Sequence, residues 1–220
     1  MSRPWTTIDG IATREGRLEL RQRGPRDFLL VVGGRILMSS TAFRSEVALA
    51  ELACRPIADR PKPRVLIGGL GMGYTLRAAL DVLPAQAEVV VAELEPAVET
   101  WCRGPLAVLT EGAVSDPRVR IRIEDVAHAI AAPAPPWDAI ILDLYEGPHA
   151  ATQGPEDACY GGRALGRTKQ ALAKGGVFAV WSEDPDASFE KRLIAQGFAT
   201  AVHHPGKGGR RHAVYLATVR

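Results

Sequence analysis

Hydrophobic and polar positions change their period twice along the chain. Residues 17–21 (Arg-Leu-Glu-Leu-Arg) alternate polar and apolar, as a half-buried strand does. Gly24-Pro25-Arg26-Asp27 reads as a turn, 28–32 as a second strand, Gly33-Gly34 as a tight turn and 35–38 as a third strand. The chain therefore begins with an antiparallel β-meander. Over 45–52 the pattern turns helical, with Val47, Leu49, Ala50 and Ala53 on one stripe, and Pro56, Pro61 and Pro63 close the helix. From Arg64 onward short Val/Ile-rich runs alternate with helical segments. Strands are predicted at 65–68, 89–93, 119–123, 139–143 and 177–181. Helices are predicted at 74–83, 96–101, 126–131 and 163–173. Strands separated by helices, with little polar alternation, predict a mostly parallel sheet covered on both faces. The run 213–219 reads as an antiparallel edge strand. The expected organisation is a meander over 1–44 and an α/β unit over 45–220.

Composition adds bounds. The chain has 220 residues, 46% hydrophobic and 24% charged, with a formal net charge of +2, an ordinary globular balance. No apolar run approaches the ~20 residues that span a bilayer. The N-terminus lacks the apolar core of a signal peptide, and Asp9, Glu15 and Glu19 among the arginines argue against a transit peptide. Cys54, Cys102 and Cys159 are far apart and odd in number, so neither a disulfide framework nor a metal knuckle is expected, and a cytoplasmic setting is. His203-His204 and His212 show no metal-ligand spacing, and no Gly-x-Ser-x-Gly elbow appears. Arg14, Arg17, Arg21, Arg23 and Arg26 near the start, with Lys207, Arg210 and Arg211 near the end, could contact phosphates. Alternation with apolar strand positions makes a solvated face the favoured reading, so no nucleic-acid partner is expected.

Candidate chemistry sits at the carboxyl ends of the predicted strands. The first strand runs into Gly69-Leu70-Gly71-Met72-Gly73 and then a helix. Glycines there allow unusual backbone angles and close approach of a ligand, and the helix start adds free N–H groups. The spacing is neither a P-loop nor the GxGxxG of dinucleotide sites. The second strand ends at Glu93, where a carboxylate can accept hydrogen bonds from both hydroxyls of a ribose. Glu95 is close by, but Pro96 fixes a turn after it. Asp125 follows the third strand and can accept from an exocyclic amine such as that of adenine, or simply cap a helix. The fourth strand delivers Asp143, with Tyr145 and Glu146 on the loop behind it. A carboxylate and a phenol there suit capture and orientation of an amine or hydroxyl nucleophile.

These motifs in this order resemble the class I methyltransferase fold, a Rossmann-like sheet, and within it the spermidine synthase-like proteins. The resemblance is carried by the glycine loop with Tyr74-Thr75-Leu76-Arg77, by Glu93-Leu-Glu-Pro96, by Asp116-Pro-Arg-Val-Arg120 leading to Asp125, and by Asp143-Leu-Tyr-Glu146. It implies that Gly69, Gly71, Met72, Gly73, Glu93, Asp125 and Asp143 hold S-adenosylmethionine or its decarboxylated form. It implies that Asp143 and Glu146 stand where aminopropyltransferases carry an Asp-x-x-Asp that binds and deprotonates the acceptor amine, with Tyr145 shaping the pocket. Glu51 falls near a family acid that helps hold the polyamine. A homodimer and a place in polyamine biosynthesis are further implications.

The chain departs from that family at three points. Met72 stands where the family's loop usually has Asp, the second acid is Glu146, and the ends look trimmed. A carboxylate at position 72 would repel the carboxylate of intact S-adenosylmethionine at low dielectric. An apolar Met72 removes that discrimination, which tilts the expectation to methyl transfer onto a small amine acceptor. Aminopropyl transfer from the decarboxylated donor is the alternative, and an inactive ligand-binding scaffold a further one.

Overall fold

The computed structural model describes residues 3–145, 147–149, 154–205 and 212–219. Four strands, β1 (Thr6–Thr13), β2 (Gly16–Gly24), β3 (Asp27–Val32) and β4 (Arg35–Ser39), form an antiparallel sheet in sequence order. The expected three-stranded meander thus has a further strand. β1 contains Asp9-Gly10, a turn signal, and its register slips between Thr7 and Asp9. What holds it is partly tertiary: the Trp101 indole N–H donates to the Asp9 carboxylate at 2.7 Å.

The helix α1 (Arg44–Cys54) leads into β5 (Arg64–Gly68), α2 (Tyr74–Val82), β6 (Glu88–Glu93), α3 (Pro96–Arg103) and the single turn α4 (Ala107–Thr110). Then come β7 (Val119–Ile123), α5 (Val126–Ala131), β8 (Trp137–Leu142), α6 (Gly162–Ala171), β9 (Leu172–Ser182), α7 (Ala187–Ala195), β10 (Ala199–His203) and β11 (Ala213–Thr218). The second sheet has seven strands in the order β10-β11-β9-β8-β5-β6-β7. β5 to β9 are parallel, and β11 runs antiparallel to both β9 and β10. The tail is therefore an interior strand and β10 takes the edge, a correction to the expected edge position of the tail.

Alternation along each buried strand divides the core between two faces. Val65, Ile67, Val89, Val91, Ala139, Ile141, Val177, Ala179 and Val214 pack on one side with Leu49 of α1, Leu76 of α2 and Trp101 of α3. Leu18, Leu20, Phe28, Leu30 and Val32 of the N-terminal sheet join this same cluster. On the other side Leu66, Val90, Ile140, Leu142, Phe178 and Val180 meet Val126 of α5, Leu165 of α6 and Phe189 and Leu193 of α7. The result is a three-layer α/β/α sandwich with the small sheet docked on the α1–α3 side.

Candidate functional site at the carboxyl edge

The strand order reverses between β5 and β8. From β5 the chain steps outward to β6 and β7, then returns to place β8 on the other flank of β5. In open α/β sheets a crevice forms at such a point, outside the carboxyl ends of the strands. The glycine loop and Asp143 border it. The Asp143 N–H donates to the Gly68 carbonyl and the Gly69 N–H to the Ala92 carbonyl, both at 2.9 Å.

Gly69, Gly71 and Gly73 all adopt left-handed backbone, with φ of 87°, 51° and 83°. At Gly69 the need is also steric, because a Cβ would lie 2.5 Å from the Asp143 carbonyl oxygen. At Gly71 it would lie 3.1 Å from the Met38 sulfur, which brings β4 of the small sheet over the loop. The same sheet reaches the far side of the crevice, where the Arg35 guanidinium lies 4.7 Å from the centre of the Tyr145 ring.

Glu93 is a buried carboxylate at the tip of β6. One oxygen accepts the Leu70 N–H at 2.8 Å and the other the Glu95 N–H at 2.9 Å, so it ties the glycine loop to the turn after β6. Burial pushes its pKa up, and the backbone donors oppose that rise. Each oxygen keeps acceptor capacity, since an ionised carboxylate offers about four lone-pair sites. Asp125 caps α5, with Oδ1 accepting the Ala127 N–H at 2.8 Å. The two readings of Asp125 are compatible, because capping engages one oxygen. A buried acceptor at Glu93, a half-buried one at Asp125 and a left-handed glycine loop between strands fit an adenosyl group.

Asp143 lies just past β8 on the α1 face, continuing the alternation of Ala139 and Ile141. The Thr75 hydroxyl, in the first turn of α2, donates to its Oδ2 at 2.5 Å. Burial, and then the negative charge of Glu46, push Asp143 up to about 7, against the pull of the Thr75 bond. Glu46 is itself buried on α1 and accepts the Ser45 hydroxyl at 2.6 Å. Burial raises its pKa as well. Asp143 and Glu46 are thus a pair of acids from different elements, each with its carboxyl raised by burial.

Glu46 was not singled out from sequence, yet a signal was there. Positions 46, 49, 50 and 53 share one helical stripe, and all four are buried. A charge on the apolar stripe of a helix is unusual enough to mark a site. Glu51, which the resemblance places near the polyamine, lies on another face of the same helix. Five residues turn a helix by about 140° relative to Glu46. Glu51 pairs with Arg55 at 3.2 Å and borders a cleft of about 300 Å³ with Phe43, Tyr74 and Arg77.

Met72 also requires correction. Its side chain is 0% exposed and lies in the α1–α3 core cluster. A side chain with no accessible surface presents nothing to a ligand, so the argument from Met72 to methyl transfer loses its basis. Tyr145 is exposed beneath Arg35, and Glu146 lies outside the described residues. Among the described residues no cluster of His, Cys, Asp and Glu could hold a metal ion, and no helix is long and apolar enough to cross a membrane. Arginines of the small sheet are engaged locally: Arg21 pairs with Glu19, and Arg23 pairs with Asp27 and lies over Trp5.

No family model matches the chain. It is 26% identical over 159 residues to the polyamine aminopropyltransferase of Clostridium tetani, covering 71% of this chain and 53% of that one. It is 30% identical over 156 residues to that of Synechococcus sp. (strain JA-3-3Ab), covering 66% and 49%. The chain thus spans about half the length of these curated relatives. Spermidine synthase from Thermotoga maritima superposes with a TM-score of 0.77 at 22% identity, over 96% of this chain and 72% of that one. A spermidine synthase solved in complex with the transition state analogue AdoDATO gives 0.76 at 21%, with the same coverage. Its strand order, its glycine loop and these likenesses give the chain the fold of the spermidine synthases, with a sequence similar to polyamine aminopropyltransferases over about 160 residues.

Proposed function

We propose that the chain is an aminopropyltransferase that joins the aminopropyl group of decarboxylated S-adenosylmethionine to an amine acceptor. The observation that carries this reading is the acid pair of half-buried Asp143 and buried Glu46 beside the glycine loop. Sequence likeness to polyamine aminopropyltransferases supports it, and the core position of Met72 removes the reason for preferring methyl transfer.

Glu93 would hold the ribose hydroxyls, Asp125 the adenine amine, and the glycine loop the backbone-facing side of the donor. When bound, the sulfonium donor supplies the electrophilic carbon and leaves as a neutral thioether. The chain must then present a neutral amine nitrogen in line with the breaking carbon–sulfur bond and take up the proton released as the new carbon–nitrogen bond forms. Asp143 suits that task, because a carboxyl raised to about 7 can lose and regain a proton near neutral pH. Thr75 fixes its orientation. Tyr145, under Arg35, would border the acceptor side.

The test is product analysis with both donors and a panel of amines. Methylthioadenosine release from the decarboxylated donor, with an aminopropylated amine product, is expected. S-adenosylhomocysteine release from intact donor would replace this reading with methyl transfer. Tight donor binding without any product would replace it with a scaffold role.

A further inference from the structure

The cleft bordered by Glu51 and Tyr74 opens between α1, α2 and the short link from the small sheet to α1. Its volume of about 300 Å³ is room for a small ring system. The helical walls follow from spacing. Val47 and Glu51 are one turn apart on α1, and Tyr74, Arg77, Ala78 and Asp81 share one stripe of α2. Glu46 and Thr75, each one position off these stripes, act on the Asp143 side instead. The same two helices thus present one face to the cleft and another to the carboxyl-edge crevice.

The aromatic wall of the cleft is held in place by the protein. Phe43 stacks on Tyr74, with ring centres 4.6 Å apart and planes 18° apart, and the Tyr74 hydroxyl donates to the Ser40 carbonyl at 2.8 Å. Phe43 is still 39% exposed, so ring surface is offered where the cleft opens. A ring fixed in advance costs a ligand little ordering.

Charge on the walls is unevenly paired. Glu51 is bonded to Arg55 at 3.2 Å and Asp81 to Arg77 at 2.6 Å, each an arginine one turn away on the same helix or its continuation. Among the described residues no acid pairs with Arg26, which borders the same cleft. Its charge reaches the aromatic wall: burial pushes the Tyr74 phenol up, and Arg26 opposes that rise. A carboxylate on a flat apolar body complements this arrangement. Its rings can lie on Phe43 between Val47, Ala78 and Leu109, while its oxygens meet the fork of Arg26. A cationic ring of the same shape meets Arg26 and Arg77 and is repelled.

We propose that this cleft is a binding site for a small aromatic carboxylate, separate from the carboxyl-edge crevice, in which Arg26 pairs with the carboxylate and Phe43 stacks on the rings. The site goes beyond the transferase reading and holds whichever group the crevice transfers.

Calorimetry on the full chain tests it with naphthoate, and with naphthylmethylamine as the cation of similar shape. Wild type should bind naphthoate more tightly than the amine, and equally well with and without saturating methylthioadenosine. Arg26→Gln should weaken naphthoate by about 5-fold without weakening the amine, and Arg26→Lys should recover part of the loss. Phe43→Leu should weaken both by about 3-fold or more. Methylthioadenosine affinity should not change in any variant, and thermal melts show that each is folded. No naphthoate binding by wild type, affinity indifferent to Arg26→Gln or to Phe43→Leu, or displacement of naphthoate by methylthioadenosine would overturn the site.

Discussion

Asp143→Asn exchanges a carboxylate for a neutral amide of the same shape at the point where the strand order reverses. The Thr75 hydroxyl can still donate to the amide oxygen, so the change acts mainly through charge. In the fold, burial and Glu46 raise this carboxyl from 3.8 to about 7. At 1.36 kcal/mol for each pH unit, that rise corresponds to about 4 kcal/mol of destabilisation when the group is ionised. Glu46 shares the effect, so a gain of roughly 1–3 kcal/mol from removing the charge is expected. The pH dependence has a definite sign. Near pH 4 both folded and unfolded chains hold much of the proton and the cost is small. As pH rises toward 7 the unfolded chain has released a proton that the folded chain retains, so wild-type stability falls, and above 7 the full cost remains. Thermal melts of wild type and Asp143→Asn should therefore diverge with pH. The variant should melt roughly 2–10 °C higher at pH 8, at about 2–4 °C per kcal/mol for a chain of this size, with a much smaller difference near pH 4. Methylthioadenosine release should fall by about 10²–10⁴-fold, as for loss of a general base. An unchanged or lower melting temperature at pH 8, or equal gains at both pH values, would refute the reasoning.

Glu93→Ala should weaken binding of an adenosyl ligand by at least about 10-fold in calorimetry, since it removes a charged hydrogen-bond acceptor and unties Leu70. Unchanged binding would place the ligand elsewhere. Gly69→Ala should destabilise the chain by about 2 kcal/mol or more in urea melts, because the new Cβ meets the Asp143 carbonyl and the backbone is left-handed. A neutral outcome would mean that the loop relaxes freely. Burial pushes the thiols of Cys54, Cys102 and Cys159 up to about 12, so a thiol reagent at pH 8 should label the folded chain slowly and three groups in denaturant. Rapid labelling of the folded chain would contradict that burial.

Most of the α/β unit could be read from local pattern. A strand covered on both faces needs an unbroken apolar run, a half-covered edge strand an alternating one and a helix on the sheet a 3.6-residue stripe, so β5, β6 and β8, and the alternating edge strand β7, appear within one or two residues of their expected bounds. The acids that end those strands, Glu93, Asp125 and Asp143, were legible for the same reason, because in a parallel sheet the carboxyl ends share one edge. Pattern failed where the stabilising contact is remote. β1 carries a turn signal and is held partly by an indole from α3, while β10 is short and mostly half-exposed and takes the edge that the tail was expected to fill.

Side-chain direction in loops and the meeting of distant elements lay beyond the one-dimensional pattern. The three glycines and Met72 were visible as a loop, but only the packed structure turns Met72 into the core and removes its bearing on the donor. α1 was visible as a helix, yet its phase against the sheet decides that Glu46 is buried with its charge felt at Asp143, while Glu51 pairs with Arg55. Local sequence determined the sheet, its ligand edge and three of its acids, because each is a property of a few neighbouring residues. Tertiary structure decided which acid joins Asp143, because that contact depends on how α1, α2 and the carboxyl ends of β8, β9 and β11 are packed together.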